Sequence, residues 1–310
     1  MTAASESALG ALATLSRDLA DAVERAAPSI VAIDARARIP SSGVLWRDGV
    51  VVTADHTIRR EESISVRLEG GSTASAVLVG RDPSTDLAVL RLDGGAGRPA
   101  ALGDGAALRP GHVVVAVGRP GADVTASFGI VSASSGEWRT WRGGRLDRFI
   151  RLDMAIHDGF SGGALVNERG AVVGVNTSGL ARAQPITIPV STVDRVMREL
   201  LEKGRVARGY LGLAMQGIRL PDAVAGALRL PSRHALMVMG VEERSPAADA
   251  GVMIGDVLLA FDDRALRDPA DLLAALGPES VGHVARARVL RAGEPREIEI
   301  TIRERRGGGA

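Results

Sequence analysis

The segment Gly159-Phe160-Ser161-Gly162-Gly163-Ala164 places a serine among glycines. A backbone able to turn tightly there can aim the N–H groups of Gly159 and Ser161 at one point. Two convergent donors form an oxyanion hole, which stabilises the negative charge that develops on an attacked carbonyl. Losing one such donor typically raises the barrier by about 3 kcal/mol. Taken alone, the segment is equally well a glycine-rich β-turn. A serine hydroxyl attacks a carbonyl only when a base removes its proton, and histidine is the usual base. The chain has five. His56 follows the apolar run Val50-Val51-Val52, His112 opens another run, His157 adjoins the serine segment, and His234 and His283 lie in the second half. A lone histidine is more often structural than catalytic. His56 is singled out by a possible third member, Asp86, which directly precedes Leu87-Ala88-Val89-Leu90. A carboxylate at the head of a buried strand is costly unless paired; an imidazole N–H is a suitable partner, and the bond would orient the ring. The plainer alternative is an aspartate capping the turn-like Asp82-Pro83-Ser84-Thr85. The order His56, Asp86, Ser161 is that of chymotrypsin-type enzymes, distinct from the subtilisin and α/β-hydrolase orders. In such a fold the first barrel supplies His and Asp, the second supplies Ser, and substrate lies between them.

The surrounding elements suit that role. Short β-rich runs at 29–35, 49–54, 63–69, 73–80, 87–93, 112–118 and 171–177 are separated mostly by Gly, Asp, Asn or Pro clusters, the pattern of a barrel or sandwich. Two helices interrupt it. Residues 7–26 carry Leu9, Leu12, Leu15, Leu19, Ala22 and Val23 at helical spacing before Pro28. Residues 191–204 carry Val193, Val196, Met197, Leu200 and Leu201, with Ser191 and Asp194 spaced as a capping box and Gly204 as a stop. The second half is mixed. Strands are expected near 209–215, 235–242, 256–262, 283–290 and 296–303, and helices near 221–229, 246–250 and 268–276. The expected organisation is an N-terminal helical segment (1–27), a peptidase domain (28–190), a linker helix (191–208), a smaller α+β domain (209–304) and a flexible tail (305–310).

Composition narrows the function classes. The chain has 310 residues, enough for about two domains, and 45% of them are hydrophobic. With no cysteine, a thiolate nucleophile, a thiolate metal site and a disulfide framework are all excluded. The net charge of +1 leaves no electrostatic footprint for nucleic acid or anionic membrane. No metal or organic cofactor is expected, since metal ligands do not cluster. No segment has the roughly 20 apolar residues that span a bilayer. The start of the chain lacks the basic region and uninterrupted apolar stretch of an export signal. The expected location is therefore cytoplasmic as the chain stands, or outside the cytoplasm if a leader is removed.

On its motifs the sequence resembles the HtrA (Deg) family of serine proteases over nearly its whole length. The elements are SSGVL (41–45), TADH (53–56), DPSTDLAVL (82–90), GDGAALRPG (103–111), GFSGGA (159–164) and VVGVNTSG (172–179). The run 186–213 is similar to the family's linker. The second half looks like one PDZ domain: YLGL (210–213) matches the carboxylate-binding loop, and 245–266, 268–276 and 284–302 match the remainder. The resemblance implies a mainly β architecture, a chymotrypsin-like double barrel followed by a PDZ domain. It implies an ATP-independent endopeptidase acting on unfolded or damaged proteins, with cleavage after small or medium aliphatic residues and a homotrimer as the basic unit. The implied triad is His56, Asp86 and Ser161, with Gly159, Phe160 and Ser161 N–H groups at the oxyanion hole. Tyr210, Leu211, Gly212 and Leu213 would receive a peptide C-terminus, the peptide adding as a strand to the sheet edge. Phe160 and Ala164 stand where the family usually has Asn and Pro, so a large ring could repack the loop or narrow the substrate entrance. A silent protease-fold scaffold whose PDZ domain recruits C-termini is the alternative reading.

Overall fold

The computed structural model describes residues 3–94, 97–181 and 184–304; the expected tail at 305–310 lies outside them. The chain forms two compact units. The first contains residues up to 140 and 145–206, and the second contains 141–144 and residues from 207 onward.

The first unit holds two closed, all-antiparallel barrels. Strands β1 (Ile30–Asp34), β2 (Ser41–Arg47), β3 (Val50–Ala54), β4 (Ile64–Arg67), β5 (Thr73–Asp82) and β6 (Leu87–Leu92) close in the order β1-β2-β3-β6-β5-β4. Strands β7 (Val113–Gly118), β8 (Thr125–Ser135), β9 (Phe149–Asp153), β10 (Ala164–Val166), β11 (Val172–Thr177) and β12 (Ile186–Pro189) close in the order β7-β8-β9-β12-β11-β10. The second order repeats the first. The period-two alternation of strands explains why some runs are apolar throughout. In β3 and β6, Val51, Ala88 and Leu90 pack with Val31, Ile33, Leu45 and Ile64 in a cluster drawn from the first barrel. Their neighbours Val52, Leu87 and Val89 join Val115, Val117, Ala164 and Val175 in a cluster shared by both barrels. These strands are buried on both faces, so their sequence is continuous rather than alternating.

Helix α1 (Ala3–Ala26) anchors its last two turns: Ala22 and Ala26 are buried and Leu19 and Val23 pack on the shared core, whereas Leu12 and Leu15 are exposed. Helix α2 (Val190–Lys203) buries Val193, Val196, Met197 and Leu200 in that core; each such side chain contributes about 1.5–3 kcal/mol. Gly204, left-handed at φ 71°, ends it. The capping box expected at Ser191 and Asp194 does not form. Pro189, still paired in β12 with Gly174, is the cap residue and offers no side-chain acceptor. Asp194 instead accepts the indole N–H of Trp46 at 2.7 Å.

The second unit holds a six-stranded antiparallel sheet: five strands form a meander, and a short sixth (Arg264–Ala265) pairs with the third of them. A short strand β13 (Gly209–Tyr210) precedes it. The meander is β14 (Leu213–Arg219), β15 (His234–Val241), β16 (Val257–Phe261), β17 (Val284–Arg291) and β18 (Glu294–Thr301), hydrogen-bonded in that order. Helices α3 (Asp222–Ala227), α4 (Pro246–Asp249) and α5 (Pro269–Ala275) accompany it. Asp268 and Asp271 form a reciprocal capping box on α5. The strand expected at 209–215 is broken in two by Leu211 and Gly212, because Gly212 takes φ +77°, the left-handed region favoured by glycine.

Candidate active site

His56 lies in a single helical turn (Asp55–Thr57) directly after β3. The Thr57 hydroxyl donates to the Ala54 carbonyl at 2.7 Å, and the Asp55 N–H donates to the Asp86 carbonyl at 3.1 Å. The turn-capping alternative for Asp86 falls on another aspartate. Asp82 accepts the Ser84 N–H at 3.1 Å and the hydroxyls of Ser84 and Thr85 at 2.5 and 2.7 Å. Asp86 is thereby free to face the imidazole. It adopts φ +57°, a conformation that aspartate tolerates better than most residues. Its buried carboxylate accepts the His56 backbone N–H at 2.9 Å and stands 2.8 and 3.0 Å from His56 Nδ1. The Thr177 hydroxyl donates to the same carboxylate. A carboxylate next to Nδ1 requires the proton there, which assigns Nε2 as the basic nitrogen. Gly179 closes the site from above: a Cβ at that position would lie 2.6 Å from Asp86 Oδ2 and 2.8 Å from His56 Nδ1.

Ser161 is presented by a loop held by backbone hydrogen bonds and by the Ser42 hydroxyl, which donates to the Gly159 carbonyl at 2.6 Å. The Phe160 N–H donates to the His157 carbonyl at 3.0 Å, and Gly159 has φ +87° while Asp158 stays outside the left-handed region. That combination is a type II turn, which requires positive φ at its third residue. In this turn the Asp158–Gly159 peptide, which carries the Gly159 N–H, faces opposite to its direction in a type I turn. A Cβ at Gly159 would meet Pro120 Cβ at 2.5 Å. Gly162, at φ +88°, brings the loop against β3: its Cβ would meet Ser42 O at 2.2 Å, Thr53 Oγ1 at 2.3 Å and Ala54 N at 2.9 Å. The serine loop is thus seated two residues from His56. Among the described residues the Ser161 hydroxyl has one hydrogen-bond partner, Ser178 Oγ at 3.2 Å.

Two expectations for Phe160 are corrected. Its N–H is taken by His157, so it is not a third oxyanion donor. Its ring does not crowd an entrance, being only 2% exposed among Val114, Ile150, Leu165 and Val173. The exposed His157 ring meets it edge-on, with centroids 5.5 Å apart. The remaining histidines serve elsewhere. His112 starts β7 through a backbone bond to Arg109, His234 opens β15, and His283 bonds Asp262 at 3.0 Å.

Sequence reasoning did not assign roles to Ser42, Thr177, Ser178 or Gly179, although SSGVL and VVGVNTSG marked their segments. It also missed the buried Asp55, whose carboxylate meets Arg81 Nε at 2.5 Å while Arg81 Nη1 reaches Glu61 at 2.8 Å. Burial holds the Asp55 carboxyl above the usual carboxylate range, against the opposing pull of Arg81 and with a smaller push from Asp86. On the guanidinium the balance runs the other way: burial disfavours its charge, but Asp55 and Glu61 outweigh it and raise the pKa.

In the second unit, β14 is the free edge of the meander. The Leu211 carbonyl accepts the Ala247 N–H at 3.0 Å and the Gly212 carbonyl accepts the Glu242 N–H at 2.9 Å. Because each trans peptide points its N–H opposite to its C=O, the N–H groups of Gly212 and Leu213 turn away from those partners. Leu211 itself is buried in the core rather than lining a groove. The Tyr210 hydroxyl donates to Glu242 at 2.5 Å.

Twin six-stranded barrels carrying an aspartate-oriented histidine and a serine on a glycine turn, followed by an edge-open meander, define the class of trypsin-like peptidases with an appended PDZ domain. The family model of the trypsin-like peptidase domain matches residues 41–175, and that of the PDZ domain matches 209–302. A probable periplasmic serine endoprotease DegP-like of Brucella suis biovar 1 (strain 1330) is 36% identical over 270 residues, covering 84% of this chain and 52% of the relative. The serine protease Do-like HtrA of Lactobacillus helveticus is 34% identical over 282 residues, covering 84% of this chain and 68% of the relative. The solved structure of the HtrA-type protease AlgW with tripeptide is 32% identical with a TM-score of 0.70, covering 93% of this chain and 98% of that one. The chain belongs to the HtrA family of serine proteases. It spans about half the length of the first curated relatives it matches. Among the described residues no helix is long and apolar enough to cross a membrane.

Proposed function

We propose that the protein is a serine endopeptidase that cleaves unfolded or damaged proteins without ATP. Ser161 attacks the peptide carbonyl while His56 Nε2 takes its proton. The Gly159 and Ser161 N–H groups receive the oxyanion. His56 then delivers the proton to the leaving amine, and water releases the acyl group from Ser161 by the same steps in reverse. Asp86 holds the ring in the required tautomer and stabilises the imidazolium. The reading is carried by one observation: a buried carboxylate on His56 Nδ1, beside a type II turn that presents Ser161. The PDZ domain would bind a peptide C-terminus through the 210–213 loop and the β14 edge, to tether or regulate substrate.

Hydrolysis of casein by wild type and by Ser161→Ala, with and without a hydrophobic C-terminal peptide, tests this. Cleavage confined to wild type supports the triad, and stimulation by the peptide supports regulation through the PDZ domain. Absence of cleavage under every condition would favour a silent scaffold. The periplasmic naming of relatives supports a site of action outside the cytoplasm and gives the cytoplasmic expectation no support. A homotrimer is also inferred, with the exposed Leu12 and Leu15 of α1 available to its contacts; light scattering of the purified chain at the mass of one copy would refute it.

A further inference from the structure

We propose that Ser42 is a positioning residue for the oxyanion hole, holding the serine loop from the opposite barrel. The inference rests on the reading of Ser161 as nucleophile. Ser42 lies in β2, is 0% exposed, and reaches across to the loop with both its main chain and its side chain. Its N–H donates to the Ser161 carbonyl at 3.3 Å, and its hydroxyl donates to the Gly159 carbonyl at 2.6 Å.

The direction of the hydroxyl bond is fixed. A serine hydroxyl has one proton, and the Arg119 N–H donates into the Ser42 oxygen at 2.8 Å. The Gly159 carbonyl can only accept, so the Ser42 proton points at it. Arg119 is itself immobilised: its buried guanidinium bonds the carbonyls of Ile30 at 2.7 Å, Ala122 at 2.7 Å and Ala27 at 3.2 Å. The Ser42 carbonyl is also held, by the Thr53 hydroxyl at 2.7 Å.

The consequence follows from peptide planarity. The Gly159 carbonyl belongs to the Gly159–Phe160 peptide, and the Ser161 carbonyl to the Ser161–Gly162 peptide. Between them lies the Phe160–Ser161 peptide, which carries one of the two oxyanion donors. Ser42 therefore pins the planes on both sides of the donor. The first pinned plane also adjoins the Asp158–Gly159 peptide, which carries the other donor. Catalytic donors need their positions defined before charge develops, and Ser42 supplies that definition without touching substrate.

Ser42→Ala keeps the backbone bond and removes the hydroxyl clamp. With a chromogenic peptide substrate, kcat should fall about 10- to 100-fold, less than the 100- to 1000-fold typical of deleting a donor outright, with KM nearly unchanged. The Ki of a peptide boronate, which places an oxygen in the hole, should rise by the same factor, and the acid limb of the pH profile should stay in place because His56 and Asp86 are untouched. Ser42→Cys, similar in size but a weak donor, should fall between. A role confined to folding would instead lower the melting temperature and scale all activity with the folded fraction, leaving boronate affinity per folded molecule intact. The proposal is overturned if folded Ser42→Ala retains kcat within twofold, or loses kcat without losing boronate affinity. Hydrogen exchange keeps the test separate from the peptidase reading. Residues 158–163 should exchange faster in Ser42→Ala even if wild type cleaves nothing; unchanged exchange would also overturn it.

Discussion

Gly179→Ala adds a single methyl beside the His56–Asp86 pair. Gly179 is outside the left-handed region, so alanine meets no backbone penalty and the effect isolates the methyl. The new carbon would lie 2.6 Å from Asp86 Oδ2 and 2.8 Å from His56 Nδ1. An ordinary contact begins near 3.5 Å, so the carboxylate must retreat by roughly 0.9 Å and the ring by roughly 0.7 Å. The bond between them is 2.8 Å long, and a retreat of that size would take it out of hydrogen-bonding range. Misplacing a catalytic group by about 1 Å costs about 100-fold, and losing the oriented tautomer altogether costs about 10⁴-fold in kcat. The expected loss lies between these limits. The overpacking itself costs about 1–3 kcal/mol, so the variant should remain folded at 25 °C. Steady-state hydrolysis of a peptide substrate beside a thermal melt separates the two effects. A folded variant with kcat/KM within fivefold of wild type would refute the reasoning that places Gly179 over a working His–Asp pair.

Three further outcomes are expected. Phe160→Ala should destabilise the first unit by about 3–5 kcal/mol, since it empties a buried ring's volume, while Phe160→Leu should cost less; a denaturant series on both checks this. Arg81→Ala should cost about 2 kcal/mol by leaving the Asp55 carboxylate buried beside Asp86 without its cation. That figure is below the range for fully buried pairs because the Arg81 side chain is 32% exposed, and a shift in the urea midpoint measures it. Asp256, buried in the second unit, would have its pKa pushed up by burial, but the Arg291 fork at 2.8 and 2.7 Å and the Met253 N–H outweigh that and lower it. A depressed folded pKa contributes stability above the unfolded value of about 4, which is lost as pH falls through the folded value. Thermal melts of the second unit should therefore decline below about pH 4, and Asp256→Asn should start lower and flatten that decline.

The residue types proposed for catalysis were legible because their chemistry is written locally. A serine between glycines, a histidine after an apolar run and an aspartate before one each make sense within a few residues. The partners of those groups were not legible, because they arrive from far along the chain. Thr177 reaches Asp86 and Ser42 reaches Gly159 only after the barrels close, and neither pairing leaves a periodic signal. Tertiary demand also overrode a sound local rule at α2. Ser191 and Asp194 have capping-box spacing, yet β12 runs into the helix through Pro189 and Trp46 claims the aspartate. Whether the Phe160 ring narrows the entrance was not legible, because a position in a turn says nothing about which side of the loop faces the second core.

The repeated strand order of the two barrels makes the proposed active centre a seam between two similar halves. His56 and Asp86 belong to one half and Ser161 to the other, and the Ser42 clamp crosses between them. Neither half carries the whole of the proposed reaction path. Severing the chain in the connection between β6 and β7 would therefore yield two fragments that are each inert, and turnover would return only as they reassociate. In such a split protein, proteolysis becomes a direct readout of docking between the halves, reporting the strength of the seam as an affinity.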